Sequence, residues 1–229
     1  MKLVVLTGAG VSAESGLGTF RDQNGAWTKY DLNEVATPEG FARDPGKVHD
    51  FYNARRKNAR RARHNAAHTA LAELQSRLGA SMVLITQNVD GLHEAAGHDP
   101  VIHMHGRLVG ALCTVCDHRW DAPDNMCMTD NCPSCGRAST RPDIVWFGEV
   151  PYYMADIERS LAGVTHFAAI GTSGQVYPAA GFSEFARMAG ARTFELNLEP
   201  SGACFDEVIP GPATKTVPEW AKALGNLGG

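Results

Sequence analysis

The 229-residue chain lacks any apolar run approaching the roughly 20 residues that a membrane-spanning helix needs. It also lacks an excess of positive charge. Lys and Arg total 21 against 25 Asp and Glu, a formal net charge of −4, which argues against a general nucleic-acid binder. Internal repeats and low-complexity tracts are missing. Met1 runs straight into a strand-like segment, so no signal or transit peptide is expected. Cysteine is sparse, and four of the six sit in Cys-x-x-Cys pairs. That pattern suggests metal in a reducing compartment rather than disulfides. These absences define the expectation of a soluble, cytoplasmic chain with length for one large domain and a small insertion.

The most informative stretch is the first. Leu3-Val4-Val5-Leu6 reads as a buried parallel strand and breaks into Gly8-Ala9-Gly10-Val11-Ser12-Ala13. This fits the G-x-G-x-x-G/A turn that cradles a pyrophosphate at a helix start. A tight turn without ligand is the plain alternative. The acidic strand end that a dehydrogenase would show near position 30 is not there; a polar loop, Gly18-Thr19-Phe20-Arg21-Asp22, follows instead. The expectation is a dinucleotide site that does not transfer hydride.

Farther along, Trp27 to Pro45 shows little periodicity. Lys47 to Arg63 reads as a helix with Val48, Phe51, Tyr52 and Arg55 on one face, and Asn65 to Gly79 as a second helix. Strands are expected over Ser81–Thr86, Val101–Gly106, Asp143–Phe147, Thr165–Ile170 and Arg192–Leu198, with a helical stretch near Gly181–Ala189. Alternating strands and helices imply an α/β fold, a Rossmann-like parallel sheet covered by helices on both faces. A small insertion of a zinc ribbon and a helical module accompanies it. The expected organisation is a nucleotide-binding domain over 1–28, 64–110 and 141–229, a helical module over 29–63 and a zinc module over 111–140.

Cys113-x-x-Cys116 and Cys132-x-x-Cys135, fifteen residues apart, have zinc-ribbon spacing. Four thiolates close a tetrahedral shell, so the ion would be structural. Cys127 could replace a member of the second pair; Gly136 after Cys135 supplies a knuckle turn and favours Cys132 and Cys135. Cys204 reads as a core residue.

GAGVSAESG…TFR, TQNVDGLH, HMHG, the four cysteines, RPDIVWFGE, GTSGQVYPAA and NLEPS resemble, in order, the motifs of sirtuins, the NAD-dependent protein-lysine deacylases. The resemblance spans Leu3 to about Trp220. It implies that NAD is consumed, giving nicotinamide and O-acyl-ADP-ribose. By resemblance, Gly8, Ala9, Gly10, Ser12, Ala13, Glu14, Thr19, Phe20, Arg21 and Trp27 wrap the cofactor. Gln87 and Asn88 would meet ribose hydroxyls and Asp90 the nicotinamide amide. Gly171, Thr172 and Ser173 would hold phosphate and ribose, Asn197, Leu198 and Glu199 the adenosine ribose, and Ala213 the adenine. His105 aligns with the general base, a role suited to imidazole. His103 is expected on the other face of the same strand. Phe147, Gly148 and Val176 resemble the edges that clamp substrate peptide as an added strand.

Tyr52 and Arg55 lie one helical turn apart, so phenol and guanidinium can converge. A cationic fork with a hydroxyl donor suits a carboxylate. FYNARR resembles the Tyr-x-x-Arg signature of sirtuins that remove succinyl, malonyl and glutaryl groups. On composition alone, Tyr52 is a core aromatic and Arg55 part of a solvated basic face with Arg56, Lys57, Arg60, Arg61 and Arg63; the family frame reverses that balance. Gly18 stands where related desuccinylases carry Arg. The expected partners are acyl-lysine peptides or proteins, not nucleic acid or membrane. The rivals are a plain deacetylase, a mono-ADP-ribosyltransferase, a zinc-ribbon nucleic-acid module and an NAD-linked dehydrogenase.

Overall fold

A computed structural model describes residues 1–18 and 31–225. They fall into two compact units. One comprises Met1–Leu17, Arg63–Met104 and Tyr153–Gly229, the other Gly18–Ala62 and His105–Tyr152.

The first unit is built on β1 (Leu3–Thr7), β2 (Met82–Thr86), β3 (Val101–His103), β7 (His166–Ile170), β8 (Arg192–Asn197) and β9 (Glu207–Pro210). They form a six-stranded sheet in the order β3-β2-β1-β7-β8-β9, parallel throughout. Side chains alternate across a strand, and β1 shows the result. Leu3 and Val5 enter one core with α5 (Ala66–Leu78) and α9 (Ala213–Gly225). Val4 and Leu6 enter a second core, with Ile157 and Leu161 of α7 (Met154–Leu161) and Phe182 and Ala186 of α8 (Phe182–Met188). The short helices α1 (Ala9–Ala13) and α6 (Leu92–Ala95) complete the unit. Strand order reverses between β1 and β7, and such a switch point leaves a crevice beyond the strand C-termini.

The second unit holds α2 (Leu32–Val35), α3 (Pro38–Arg43), α4 (Pro45–Arg61) and an antiparallel sheet β5-β4-β6 made of β4 (Gly106–Cys113), β5 (Arg119–Asp121) and β6 (Thr140–Ile144). The stretch Trp27 to Pro45, expected to be irregular, contains two helices in its described part. Their signals are caps rather than periodicity. Asp31 accepts from Asn33 N–H, and Thr37, followed by Pro38, accepts from Gly40 N–H. Asp44 and Pro45 start α4 in the same way. On α4, Val48, His49, Phe51, Tyr52 and Arg56 are buried.

Other expectations shift. The strand placed at Asp143–Phe147 is β6, Thr140–Ile144, because the backbone turns where Glu149 N–H donates to the Trp146 carbonyl. The strand at Val101–Gly106 stops at His103. Cys204, expected in the core, is exposed, lying in the polar loop between β8 and β9. Among the described residues, no helix is long and apolar enough to cross a membrane.

Three histidines of the first unit are buried: His68 on α5, His93 on α6 and His98 just after it. Burial pushes the His68 and His98 pKa values down to about 4, and His93 falls well below 6.5 for the same reason. The unfolded chain therefore takes up these protons first as pH falls. Stability is fully present above pH 6.5 and is lost towards pH 4, by about 1.4 kcal/mol per pH unit for each histidine. Asp90, whose pKa is raised by burial, offsets part of this. Urea midpoints should drop from pH 7 to pH 5, and less so in His68→Gln and His98→Gln; equal midpoints at the two pH values would remove the argument.

Candidate active site and metal centre

In the first unit the glycines of the β1 turn meet the loop after β7. A Cβ on Gly8 would lie 2.7 Å from the Gly171 carbonyl oxygen, and one on Gly10 would lie 2.7 Å from Gly171 Cα. Gly171, at φ +61°, is equally crowded, with Val11 N at 2.5 Å from its would-be Cβ. Gly8 N–H donates to Ile170 O and Gly10 N–H to Gly171 O, at 3.0 and 2.9 Å. These two amides are thus committed to the protein. Its glycines seat two loops backbone to backbone at the switch point and keep that floor clear of side chains.

A polar network lies beside the turn. Asn88 Nδ2 donates to the Gly8 carbonyl at 3.0 Å and to Ser12 Oγ at 3.2 Å. Ser12 donates to Asp90 Oδ2 at 3.2 Å, and Leu92 N–H to Asp90 Oδ1 at 3.1 Å. Asn88, Asp90 and Ser12 are buried. Burial pushes the Asp90 pKa up, opposed by the Leu92 and Ser12 donors. Asn65 fixes the far side, donating to the Val11 carbonyl and Ser15 Oγ, both at 2.9 Å, and capping α5. Asn65, His68 and His93 are supports not singled out in the sequence. Asn65 was signalled by its N-cap position; the histidines had no local sign.

At the other strand ends, Asn197 donates to Thr172 O at 2.7 Å, and Thr214 donates from both N and Oγ1 to Glu14, at 3.0 and 2.7 Å. Ala213 opens α9. Leu198 is exposed, as is Glu199, while Ala9, Ala13, Gln87, Ser173 and Val176 are half-buried or more. Thr19, Phe20, Arg21 and Trp27 lie outside the described residues. The donor set and the cleared glycine floor suit a nucleotide.

His103 closes β3. Its Nε2 lies 2.6 Å from Glu94 Oε1 and its Nδ1 3.0 Å from the Asn88 carbonyl. Two residues apart on one strand share a face, so the expectation that His103 and His105 occupy opposite faces of one strand is corrected. A turn at Met104–His105 separates them. His105, half-buried, starts the second unit, and its carbonyl accepts from Val145 N–H at 3.0 Å.

In that unit Arg55 lies over the Tyr52 ring, its guanidinium carbon 5.8 Å from the centroid, and 5.7 Å from that of Phe51. Tyr52 is 1% exposed, and its hydroxyl accepts from Trp146 Nε1 at 3.0 Å. Burial pushes the Tyr52 pKa up, with Arg55 opposing. Arg56, read as part of a solvated basic face, is 1% exposed. It donates to the Leu108 carbonyl, 2.8 Å, and to Asn53 Oδ1, 2.8 Å. Phe147 is half-exposed, its N–H donating to the Ala36 carbonyl at 2.9 Å, and Gly148 adopts φ +91°.

The four expected cysteines converge. Their sulfurs all lie within 4.8 Å of one another, with Cys113–Cys135 and Cys116–Cys132 at 3.7 Å. Zn–S bonds of about 2.3 Å in a tetrahedron require sulfurs about 3.8 Å apart. Each knuckle turns through a left-handed residue, Asp117 (φ 56°) and Gly136 (φ 73°). Cys127 is occupied elsewhere, its sulfur 3.1 Å from Asp130 Oδ1. The residues therefore fit one zinc ion, closed to water by four thiolates.

Residues 8–178 match the Sir2 family. The chain belongs to the Sir2 family. Among its sirtuin relatives, the NAD-dependent protein deacylase of Caulobacter vibrioides is 56% identical over 98% of this chain and 97% of its own. The NAD-dependent protein deacylase of Escherichia coli K12 is 50% identical over 97% and 82%. A crystal structure of a Sir2 homologue in complex with NAD superposes with a TM-score of 0.88 at 37% identity, covering 99% of this sirtuin and 90% of that chain.

Proposed function

We propose that this sirtuin is an NAD-dependent protein-lysine deacylase that prefers acyl groups ending in a carboxylate. The observation that carries the preference is the pairing of the Arg55 guanidinium with the Tyr52 phenol on one face of α4. When bound, NAD supplies a ribose carbon that becomes electrophilic as nicotinamide leaves. Asn88, Asp90 and Ser12 hold and orient groups beside the Gly8–Gly10 turn, and Gly171, Thr172, Ser173, Asn197 and Glu199 serve the remaining nucleotide. His105 acts as general base, taking a proton from a ribose hydroxyl. The acyl group passes from the lysine nitrogen to that hydroxyl, with one water consumed, leaving free lysine, nicotinamide and O-acyl-ADP-ribose. The family's action on acylated proteins supports peptide binding along Phe147, Gly148 and Val176, where main-chain pairing tolerates many sequences.

Charge-assisted hydrogen bonds contribute about 1.5–3 kcal/mol, so Arg55→Met should cost roughly 10- to 100-fold in kcat/KM on succinyl-lysine. Acetyl-lysine should lose much less. Mass spectrometry of one peptide carrying either acyl group, with and without NAD, reads this directly. Equal losses on both acyl groups would leave a plain deacetylase, and ADP-ribose left on protein would indicate a transferase.

A further inference from the structure

Trp146 is held more firmly than a core aromatic needs. Arg141 lies over its indole, with the guanidinium carbon 3.5 Å from the ring centroid. The same guanidinium donates from Nη1 and Nη2 to the two oxygens of Glu149, at 2.7 and 2.9 Å, and from Nη2 to the Ile144 carbonyl at 2.6 Å. Glu149 in turn accepts the Trp146 backbone N–H at 2.8 Å. Arg141 is 7% exposed and Trp146 3%. Phe41 packs against the indole with centroids 5.2 Å apart. A bidentate ion pair, a cation stacked on the ring and a backbone cap thus fix both the place and the tilt of one indole.

What that indole does is donate to the Tyr52 oxygen, 3.0 Å away. The oxygen receives a proton donor, so its own hydrogen is directed elsewhere and can only donate. A phenol accepting one hydrogen bond also donates the next one more strongly.

We infer that Trp146, locked by Arg141 and Glu149, is a positioning residue for acyl selectivity, aiming the Tyr52 hydroxyl hydrogen at the distal carboxylate of the acyl chain. The inference rests on the acyl-carboxylate reading above and deepens it. The indole N–H acts through Tyr52, in the same compact unit that carries Arg55.

The test removes the N–H and keeps the shape. Replacing Trp146 by 3-benzothienylalanine exchanges indole nitrogen for sulfur at nearly constant volume, so the Arg141 stack survives. KM for a succinyl-lysine peptide should rise about 3- to 10-fold, the scale of one neutral hydrogen bond, while kcat and the acetyl-lysine KM change far less. In a Tyr52→Phe background the same exchange should have no further effect, since the two groups act as one chain. Arg55→Met, run in parallel, separates the two ways to fail. If Arg55→Met is selective for succinyl-lysine but the sulfur analogue leaves the succinyl KM unchanged, the positioning role is wrong and the carboxylate reading stands. If Arg55→Met slows both acyl groups equally, the carboxylate reading falls and this inference falls with it. A sulfur analogue that raises both KM values alike would show mere packing and would also overturn the role.

Discussion

His105→Ala should lower deacylation by about 10²- to 10⁴-fold, the range of a positioned general base, with an unchanged melting temperature. The side chain is half-buried in a turn and belongs to neither sheet. The His105 carbonyl accepts from Val145 N–H, and alanine keeps that bond. The adjacent anchor, Met104, is fully buried and untouched. Loss of turnover should therefore appear without loss of structure, measured by product mass spectrometry beside circular dichroism. Near-normal turnover would show that the base lies elsewhere. His103 is a poor substitute, since Glu94 and the Asn88 carbonyl occupy both its nitrogens.

The second large effect concerns the metal. Elemental analysis should find one zinc per chain, falling well below one in Cys135→Ser and staying at one in Cys127→Ser. Structural zinc contributes on the order of 10–16 kcal/mol of apparent binding free energy in isolated fingers. Here β5 has only three residues, and little apolar surface lies among the knuckles to replace the ion. Chelation should therefore open the segment between Cys113 and Cys135 to proteases first. Full zinc content in Cys135→Ser, or loss of zinc in Cys127→Ser, would overturn the ligand set.

The cysteine knuckles were readable because a tetrahedral ion imposes its spacing on neighbours in sequence. The β1 turn and the parallel sheet were readable for a similar reason, since a buried strand ending in glycines is a local pattern. Arg56 was not. In ARRKNARR it looks like its neighbours, and only Leu108, Asp124 and Met126, from distant parts of the chain, make it interior. The purpose of the glycines was half visible. Their need for space could be read, but that the space is filled by the β7 loop depends on the sheet order. The end of β6 was misplaced because the backbone turns over Trp146–Glu149, where Glu149 N–H bonds the Trp146 carbonyl and the Glu149 carboxylate takes the Trp146 N–H, contacts that no periodicity records. The helices α7 and α9 and the strands β4, β5 and β9 went unread. Their segments are short or interrupted, as at Pro218 in α9, and their burial is decided by partners far along the chain.

Gly8, Gly10 and Gly171 crowd one another, so none of the three admits a side chain without displacing the facing loop. A methyl at any one acts as a wedge between the two loops, and once they have parted the other two positions are released from the constraint. In this enzyme the seam of bare backbone between the β1 turn and the loop after β7 is therefore where even one added carbon meets main chain on the far side.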